Sequence, residues 1–170
     1  MPAGLKQTSS TVAIGFSALE TAPNTFTQSS TDLNLSPLDR EVFVVTAINL
    51  DPVAPDALAG LNTQVNCALT STSTTAVANL SSSNCMATAT LDIRAAGFVD
   101  GGVSFTRNGM ETPPATLDYI GIIATNDFFV SIKGINNVTP GFVSGKLYGY
   151  RATATADIFA ALVQSEVLSA

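Results

Sequence analysis

The sequence predicts an all-β protein built as a two-sheet β-sandwich. Short segments with β-type alternation of apolar and polar residues recur about every dozen residues, separated by Gly, Pro, Asn and Asp. Hydrophobic residues make up 46% of the 170 residues and charged residues only 12%, a balance that favours one folded domain over a disordered chain. The sequence contains no internal repeat, which argues against a propeller or a solenoid.

Residues 1–39 are expected to form an irregular N-terminal arm with short strands. In "TVAIGFSAL" the apolar residues alternate on one face until a Pro-Asn turn breaks the pattern. "TDLNLS" adds a second short piece with its leucines on one side. This arm is therefore expected to contribute strands that are shorter and less regular than those that follow.

Residues 40–170 are expected to form the sandwich itself. "EVFVVTAINL" is rich in β-branched residues and almost continuously apolar, so it predicts a buried strand that ends at Pro52 and Pro55. "NTQVNCALTS" and "CMATATLDIRAAGF" alternate as half-buried strands do. Asp100-Gly101 is a hairpin signal before "VSFTR", and Pro113-Pro114 forbid regular pairing in the loop beyond it.

"LDYIGIIATNDFFVSIKG", from Leu117 to Gly134, predicts two successive core strands that turn at Thr125-Asn126-Asp127. Its near-continuous apolarity predicts that both faces are covered, one by the opposite sheet and the other by a neighbouring subunit. "GKLYGYRATATA" predicts a further alternating strand. The tail "DIFAALVQSEVLSA" is apolar all round and predicts either a short closing helix, with Asp157 near its positive end, or a continued strand.

These segments add up to eight or nine strands and at most one helix. Such a chain with irregular connections is most simply an eight-stranded jelly roll. An immunoglobulin-like sandwich is the competing architecture. It is disfavoured because the chain has no Trp and no cysteine pair at the separation of the usual intersheet disulfide.

The residues that could support catalysis are few. The chain has no His, which excludes Ser-His-Asp and Cys-His arrangements, and it has no Gly-rich phosphate-binding loop. A glycosidase-like carboxylate pair drawn from Glu111, Asp118 and Asp127 is the remaining option, and capping of turns and strand ends is the favoured interpretation. We therefore expect a protein that is not an enzyme and that uses no cofactor.

Two further features allow an alternative interpretation. Asp51 and Asp56 of "DPVAPD" could hold a calcium ion together with backbone carbonyls, although a Pro-stiffened turn is favoured. Cys67 and Cys85 lie in neighbouring predicted strands and could form a disulfide, but two buried thiols are the preferred expectation. Two cysteines without any His do not make a zinc site.

The charge distribution limits the classes of partner. The formal net charge is −6, and no two of the seven basic residues are adjacent, so direct nucleic-acid binding is not expected. No apolar run is long enough to span a bilayer, and the N-terminus does not resemble a secretory signal. The polar positions are mostly Ser, Thr and Asn, which predicts a low-charge surface suited to packing against copies of the chain or other subunits.

Three segments resemble, in general character and spacing, the single jelly-roll capsid proteins of small tailless icosahedral viruses: "LDREVFVVTAINLD", "LDYIGIIATNDFFVSIKG" and "GYRATATADIFAALVQSE". With their spacing they cover most of residues 40–166. The resemblance implies a coat protein of the virion that self-assembles through pentamers or hexamers, alone or with other capsid proteins. Many such proteins have a basic N-terminal arm, whereas Lys6 is the only basic residue before residue 40 here. That departure leaves genome contact to another protein or to an internal membrane, and it would also suit a minor or outer-layer component.

The residues expected at subunit contacts are apolar side chains of the 117–134 segment and of the tail. They are Tyr119, Ile120, Ile122, Phe128, Phe129, Ile158, Phe159 and Leu162. The alternative function is an extracellular adhesin or filament-forming surface protein with the same fold. In that case the aromatic residues of the C-terminal strands would offer a glycan-binding face, although Trp, the preferred residue for such a face, is absent.

Overall fold

A computed structural model of the protein describes residues 2–97, 105–110 and 117–169. Within these ranges the chain forms ten β-strands and one α-helix. The elements are β1 (Leu5–Gln7), β2 (Val12–Leu19), β3 (Thr27–Asp32), β4 (Glu41–Pro52), β5 (Thr63–Thr70), β6 (Cys85–Arg94), β7 (Phe105–Met110), β8 (Gly121–Ile123), β9 (Asp127–Ile135), β10 (Phe142–Ala154) and α1 (Ala156–Ser169). The Asp100-Gly101 turn, Glu111 and the Pro113-Pro114 loop of the sequence analysis lie outside the described residues.

The strands form two antiparallel sheets that pack face to face. Sheet A has the order β1-β10-β4-β8, and β2 also pairs with β10, next to β1 along the same edge. Sheet B has the order β3-β9-β5-β6-β7. The predicted all-β, two-sheet sandwich is therefore confirmed.

The pairing pattern is that of a jelly roll. In chain order β2 pairs with β10, β3 with β9, β4 with β8 and β5 with β6, so the four pairs are nested one inside the next. Nested pairs arise when one long antiparallel hairpin is rolled up so that successive pairs fall in alternate sheets. Two strands lie outside this set of eight: β1 extends the β2 edge, and β7 extends sheet B beyond β6.

Residues 1–39 contain the expected short strands, and the two longer ones are paired into the two sheets. β2 pairs with β10 along all eight of its residues, and β3 pairs with β9 along all six. The N-terminal segment thus supplies an edge strand to each sheet. An edge strand is half exposed and needs less apolar sequence than a central strand, which suits the short strands of this segment.

The long apolar run in β4 shows why some strands are buried on both faces. Phe43 and Val45 point into the core between the sheets, whereas Val42 and Val44 point to the outer face of sheet A. A bulge opposite Tyr148 and Gly149 then shifts the register, so that Ile48 and Leu50 face the core further along. Such a shift inserts one extra residue and reverses the alternation beyond it.

The C-terminal helix α1 covers part of the outer face of sheet A. It packs on a small second core that includes Val42, Val44, Tyr150 and Ala152. Of the two options left open for the tail, the helix is confirmed, with Asp157 in its first turn, where a carboxylate interacts favourably with the helix dipole.

The Ser/Thr-rich connection between β5 and β6, residues 71–84, accompanies sheet B on its outer side. Gln28 of β3 donates to the Thr74 hydroxyl at 3.2 Å, which ties this loop to the far edge of the sheet. Ala68 and Ser131, on the outer face of sheet B, are fully buried. Residues 77–80 of the loop and Asn66, Thr88 and Thr90 of the sheet line a groove between them.

The sandwich has two distinct ends. At the "loop end" lie the connections that follow β2, β4 and β9, which are residues 20–26, 53–62 and 136–141, together with residues 95–97 at the start of the connection that follows β6. At the "helix end" lie the connections that follow β3, β5 and β8, together with helix α1.

Candidate assembly surface

A buried carboxylate holds the loop end together. Glu20 follows directly after β2, is only 2% exposed, and accepts hydrogen bonds from the backbone N–H groups of Gly134 and Gly141, both at 2.6 Å. Charge-assisted hydrogen bonds of this kind are stronger than neutral ones. Glu20 therefore fixes both ends of the connection between β9 and β10.

Amide side chains fix the same connection from two other sides. Asn24 donates to the Asn137 carbonyl at 2.9 Å and accepts from the Asn137 N–H at 2.8 Å. The side chain of Asn137 in turn accepts from the Asp56 N–H at 3.0 Å and donates to the Gln64 carbonyl at 2.8 Å. Residues 20–26, 53–62 and 136–141 are thereby linked into one network.

Asp56 completes this network. Its carboxylate accepts from the Thr139 N–H at 2.9 Å, from the Thr139 hydroxyl at 2.8 Å and from the Val138 N–H at 2.8 Å. These bonds, the one from the Thr139 backbone foremost, hold the pKa of Asp56 below its ordinary value of 3.8, against the opposing effect of desolvation. Both carboxylate oxygens thus serve to position the 136–141 connection.

Apolar side chains project from this rigid end. Leu19 and Phe142 are cross-strand partners, and the Val53 N–H bonds to the Phe142 carbonyl at 2.8 Å, so the three lie side by side across sheet A. Leu19, Val53 and Val138 are 59%, 53% and 66% exposed. The three connections contain only two charged residues, Glu20 and Asp56, and both bond the backbone. These three connections therefore form an ordered surface with exposed apolar groups and little charge, beside the half-exposed Arg94 at the end of β6.

The helix end is closed by a second buried carboxylate. Glu166 of α1 accepts from the backbone N–H groups of Ala124 at 3.0 Å and Thr125 at 2.8 Å, in the turn between β8 and β9. Arg151 forms an ion pair with Glu41 at 3.0 Å and donates to the Leu33 carbonyl at 2.7 Å, which fixes the connection between β3 and β4.

Four of the eight predicted contact residues pack within the chain at this end. Ile122, Ile158, Phe159 and Leu162 are half-buried against the second core on the outer face of sheet A. The cover that the sequence analysis assigned to a neighbouring subunit is thus supplied to β8 by α1 of the same chain. The apolarity of this segment was interpreted correctly as two covered faces, but it does not reveal which element provides the cover.

The other four contact candidates differ in exposure. Phe128 is 0% exposed and packs edge-on against Phe16, so its side chain has no surface left for a subunit contact. Ile120 packs on the main core and Phe129 is half-buried. Tyr119 is 38% exposed and remains available for a contact.

β8 and β9, predicted as successive core strands, fall in different sheets, and residues 124–126 cross between them.

Cys67 and Cys85 are not bonded to each other. Cys67 lies opposite Ala89, whereas Cys85 lies opposite Thr70, three positions further along β5 and therefore about 10 Å away. A disulfide requires a much shorter separation of the Cα atoms. Cys67 is buried, which raises its pKa to about 12, and Cys85 is half-buried.

The carboxylates do not form a metal-binding cluster within the described residues. Asp51 is exposed on β4 opposite Ser144, whereas Asp56 bonds the 136–141 connection, so the calcium alternative for "DPVAPD" gains no support. Asp127 is the cross-strand partner of Asp32 at the helix end.

In the parts of the chain that the structure describes, no helix is long and apolar enough to cross a membrane.

Glu20, Asn137 and Glu166, which hold the two ends of the sandwich in place, are the positions that the sequence analysis missed. Their bonding partners are between 41 and 121 residues away along the chain. An isolated Glu after a strand, or within an apolar helix, is a weak signal of a buried carboxylate, because most such residues are solvated.

Comparison with known proteins gives no family assignment. No protein-family model matches the sequence, and no curated protein matches it. Among solved structures, the chain matches the tailspike protein gp49 of Acinetobacter baumannii bacteriophage Fri1, a capsular polysaccharide depolymerase, at 12% identity. The match covers 76% of this chain and 20% of the tailspike, with a TM-score of 0.15. The chain thus spans about a fifth of that protein, and a likeness this weak carries no argument about function.

Proposed function

We propose that this chain is a structural coat protein that assembles with copies of itself into the shell of an icosahedral virus. The observation that carries the proposal is the loop end, where exposed apolar side chains stand on connections fixed by Glu20, Asn137 and Asp56. An ordered surface loses little conformational entropy on association. The low charge of residues 20–26, 53–62 and 136–141 also suits contacts between identical subunits, which would otherwise repel one another.

The fold is compatible with this proposal and does not decide it. Jelly rolls occur in viral capsids, but also in lectins and cupins, so function has to be argued from the surface. The proposed partners are further copies of the chain, arranged as pentamers or hexamers, with or without other coat proteins. The virion is the proposed location, and direct nucleic-acid contact is not proposed because the basic residues are scattered.

The second candidate is an extracellular adhesin or filament subunit that binds glycans. The groove of about 430 Å³ between sheet B and residues 77–80 favours it. Asn66, Thr88 and Thr90 line this groove with amide and hydroxyl groups, which suit the hydroxyls of a neutral sugar. The groove has no aromatic residue among its lining, so the stacking that most sugar sites use is not provided there.

Sedimentation velocity and electron microscopy of the purified protein test the proposal. We expect capsomers or closed shells at micromolar concentration. The paired substitution Val53→Asp and Val138→Asp should abolish them, because it places charge in the contact. Leu80→Asp is the matched control, since Leu80 is similarly exposed at 58% but lies on the 71–84 loop.

Each outcome decides between the candidates. Shells that survive Leu80→Asp but not the loop-end pair support the proposal, whereas shells that survive both place the contact elsewhere. Linear fibres, or specific binding on a glycan array that Asn66→Ala removes, favour the adhesin. A protein that stays monomeric over the whole concentration range and binds no glycan contradicts both candidates.

A further inference from the structure

Strand β2 is an unusual edge. It runs for eight residues, from Val12 to Leu19, and contains neither a charged residue nor Pro. Among the described residues it pairs with β10 alone, so the backbone groups on its other side have no strand partner there. A long, uncharged edge is a template for pairing with another chain, and natural sheets usually protect such edges.

The usual protective devices are missing from β2 but present elsewhere. The opposite edge of sheet A is β8, which is only three residues long and has helix α1 against its outer face. In β2 the inward side chains Phe16 and Ala18 are buried in the core, whereas the outward residues Ala13, Gly15 and Ser17 are small and exposed, and the last outward residue, Leu19, is 59% exposed. From Ala13 to Ser17 the outer face of β2 is therefore flat, and no other strand of the described residues lies on the open side of this edge.

We propose that β2 pairs antiparallel with β2 of a second copy of this chain about a two-fold axis. Pairing of identical edges is isologous, so both open edges are satisfied at once and the contact closes at two copies. The proposal rests on the self-assembly proposed above and identifies one of its contacts.

The alternation of side chains restricts the register of this pair. Residues directly opposite each other in an antiparallel pair lie on the same face, so a shift by one residue would oppose core side chains to exposed ones. One residue of β2 must therefore lie directly opposite its own copy, with the two-fold axis midway between the two. An axis placed between two sequence neighbours would give the wrong alternation. Gly15 and Phe16 are the two positions that keep most of β2 overlapped. The paired sheets would then form one continuous sheet across the two copies.

A second copy fits this edge better than an unrelated peptide. The edge has no charge that would select a partner of opposite sign. The feature that a partner has to match is the alternation of buried and exposed side chains along β2, and a second copy of β2 has the same alternation. β3, the edge of sheet B on the same side of the sandwich, contacts β2 and has one charged residue, Asp32. This side of the sandwich therefore presents two adjacent edges with little charge to a second copy.

The test uses hydrogen exchange and sedimentation of the full chain. We expect alternate amides of β2 to exchange at least about tenfold more slowly at high concentration than at high dilution. Ala13→Lys combined with Ser17→Lys should weaken the dimer at least about tenfold, because like charges then lie directly opposite each other in the Gly15 register and diagonally opposite in the Phe16 register.

The control places the same charges on the same face, away from the edge. Ser144 is the β10 partner of Ser17, and Ala47 lies opposite Tyr148, the β10 partner of Ala13. Ser144→Lys combined with Ala47→Lys should therefore leave the dimer intact. Thermal unfolding of both double variants verifies that they fold.

The outcomes separate this inference from the proposed function. Shells or capsomers whose β2 amides stay unprotected overturn the edge pairing alone. Dimers with protected β2 amides and no larger assemblies support the pairing and contradict the coat-protein proposal. If the control variant dissociates as readily as the edge variant, the outer face of sheet A makes the contact, and the edge pairing is wrong. A monomer at every concentration overturns both.

Discussion

The two ends of the sandwich are each held by a buried glutamate, and the two differ in what they hold. Glu20 bonds Gly134 and Gly141, which lie 114 and 121 residues further along the chain, within strands and connections of the jelly roll itself. Glu166 bonds Ala124 and Thr125, which are about forty residues away, and attaches a helix that lies outside the jelly roll. The same chemistry therefore closes the fold at one end and fastens an added element at the other.

The two glutamates should therefore differ in whether losing their hydrogen bonds destabilises the whole sandwich or only one element. Contacts between segments distant in sequence exist only while the whole sandwich is folded, so losing them lowers the global stability. A helix docked on the outside can detach while the sandwich remains folded. We therefore expect damage at the loop end to be global and damage at the helix end to be local.

The largest effect is expected from Glu20→Ala. It leaves the buried N–H groups of Gly134 and Gly141 without acceptors, and at about 1–3 kcal/mol for each unsatisfied group the free energy of unfolding should fall by about 2–6 kcal/mol. Equilibrium urea denaturation measures this loss. Glu20→Gln keeps the shape and one acceptor oxygen, so it should lose less. Equal losses for both variants would mean that packing, and not hydrogen bonding, is the role of Glu20.

Glu166→Ala should have a smaller and local effect. Loss of the bonds to Ala124 and Thr125 should loosen α1 by about 1–3 kcal/mol, because one of the two groups is only half-buried and can bond water. Cys85 lines the same small cavity as Glu166 and Leu162, so its labelling rate with a maleimide reports undocking of the helix.

The buried Cys67 is the internal reference for this experiment. Its pKa of about 12 and its burial should keep it unreactive until the sandwich unfolds. In Glu166→Ala we expect about tenfold faster labelling of Cys85 with Cys67 unchanged, whereas Glu20→Ala should also accelerate labelling of Cys67. Parallel acceleration of both thiols in Glu166→Ala would show that the two ends are not independent.

The smallest effect is expected from Asp56→Asn, and it depends on pH. Because hydrogen bonds from Thr139 and Val138 lower the folded-state pKa of Asp56 below 3.8, its contribution to stability is complete above that value. The contribution is lost as the pH falls through the folded-state pKa. Thermal unfolding between pH 7 and pH 2 should therefore show wild type and variant converging at the acid end. A constant difference across this range would contradict the assignment.

Several features of the fold were predictable because their signals are local. The alternation in β5 and β6, the apolar run of β4 and the apolar tail each reflect how a single segment is buried. The low charge of the loop-end connections was also visible in the sequence, but nothing in the sequence placed 20–26, 53–62 and 136–141 together. Candidate contact residues chosen by apolarity alone therefore included Phe128, which is entirely inside the core.

The sequence by itself determined that this chain is an all-β sandwich with more apolar surface than two inner sheet faces require. Alternation and continuous apolar runs record how many faces of a strand are covered, since burial acts on each residue individually. Only the tertiary structure decided what covers them: α1 on sheet A, the opposite sheet in the core, and nothing along the edge of β2 among the described residues. The tertiary structure also decided the roles of Glu20 and Glu166, because their hydrogen bonds join residues that only the completed fold brings within 3 Å.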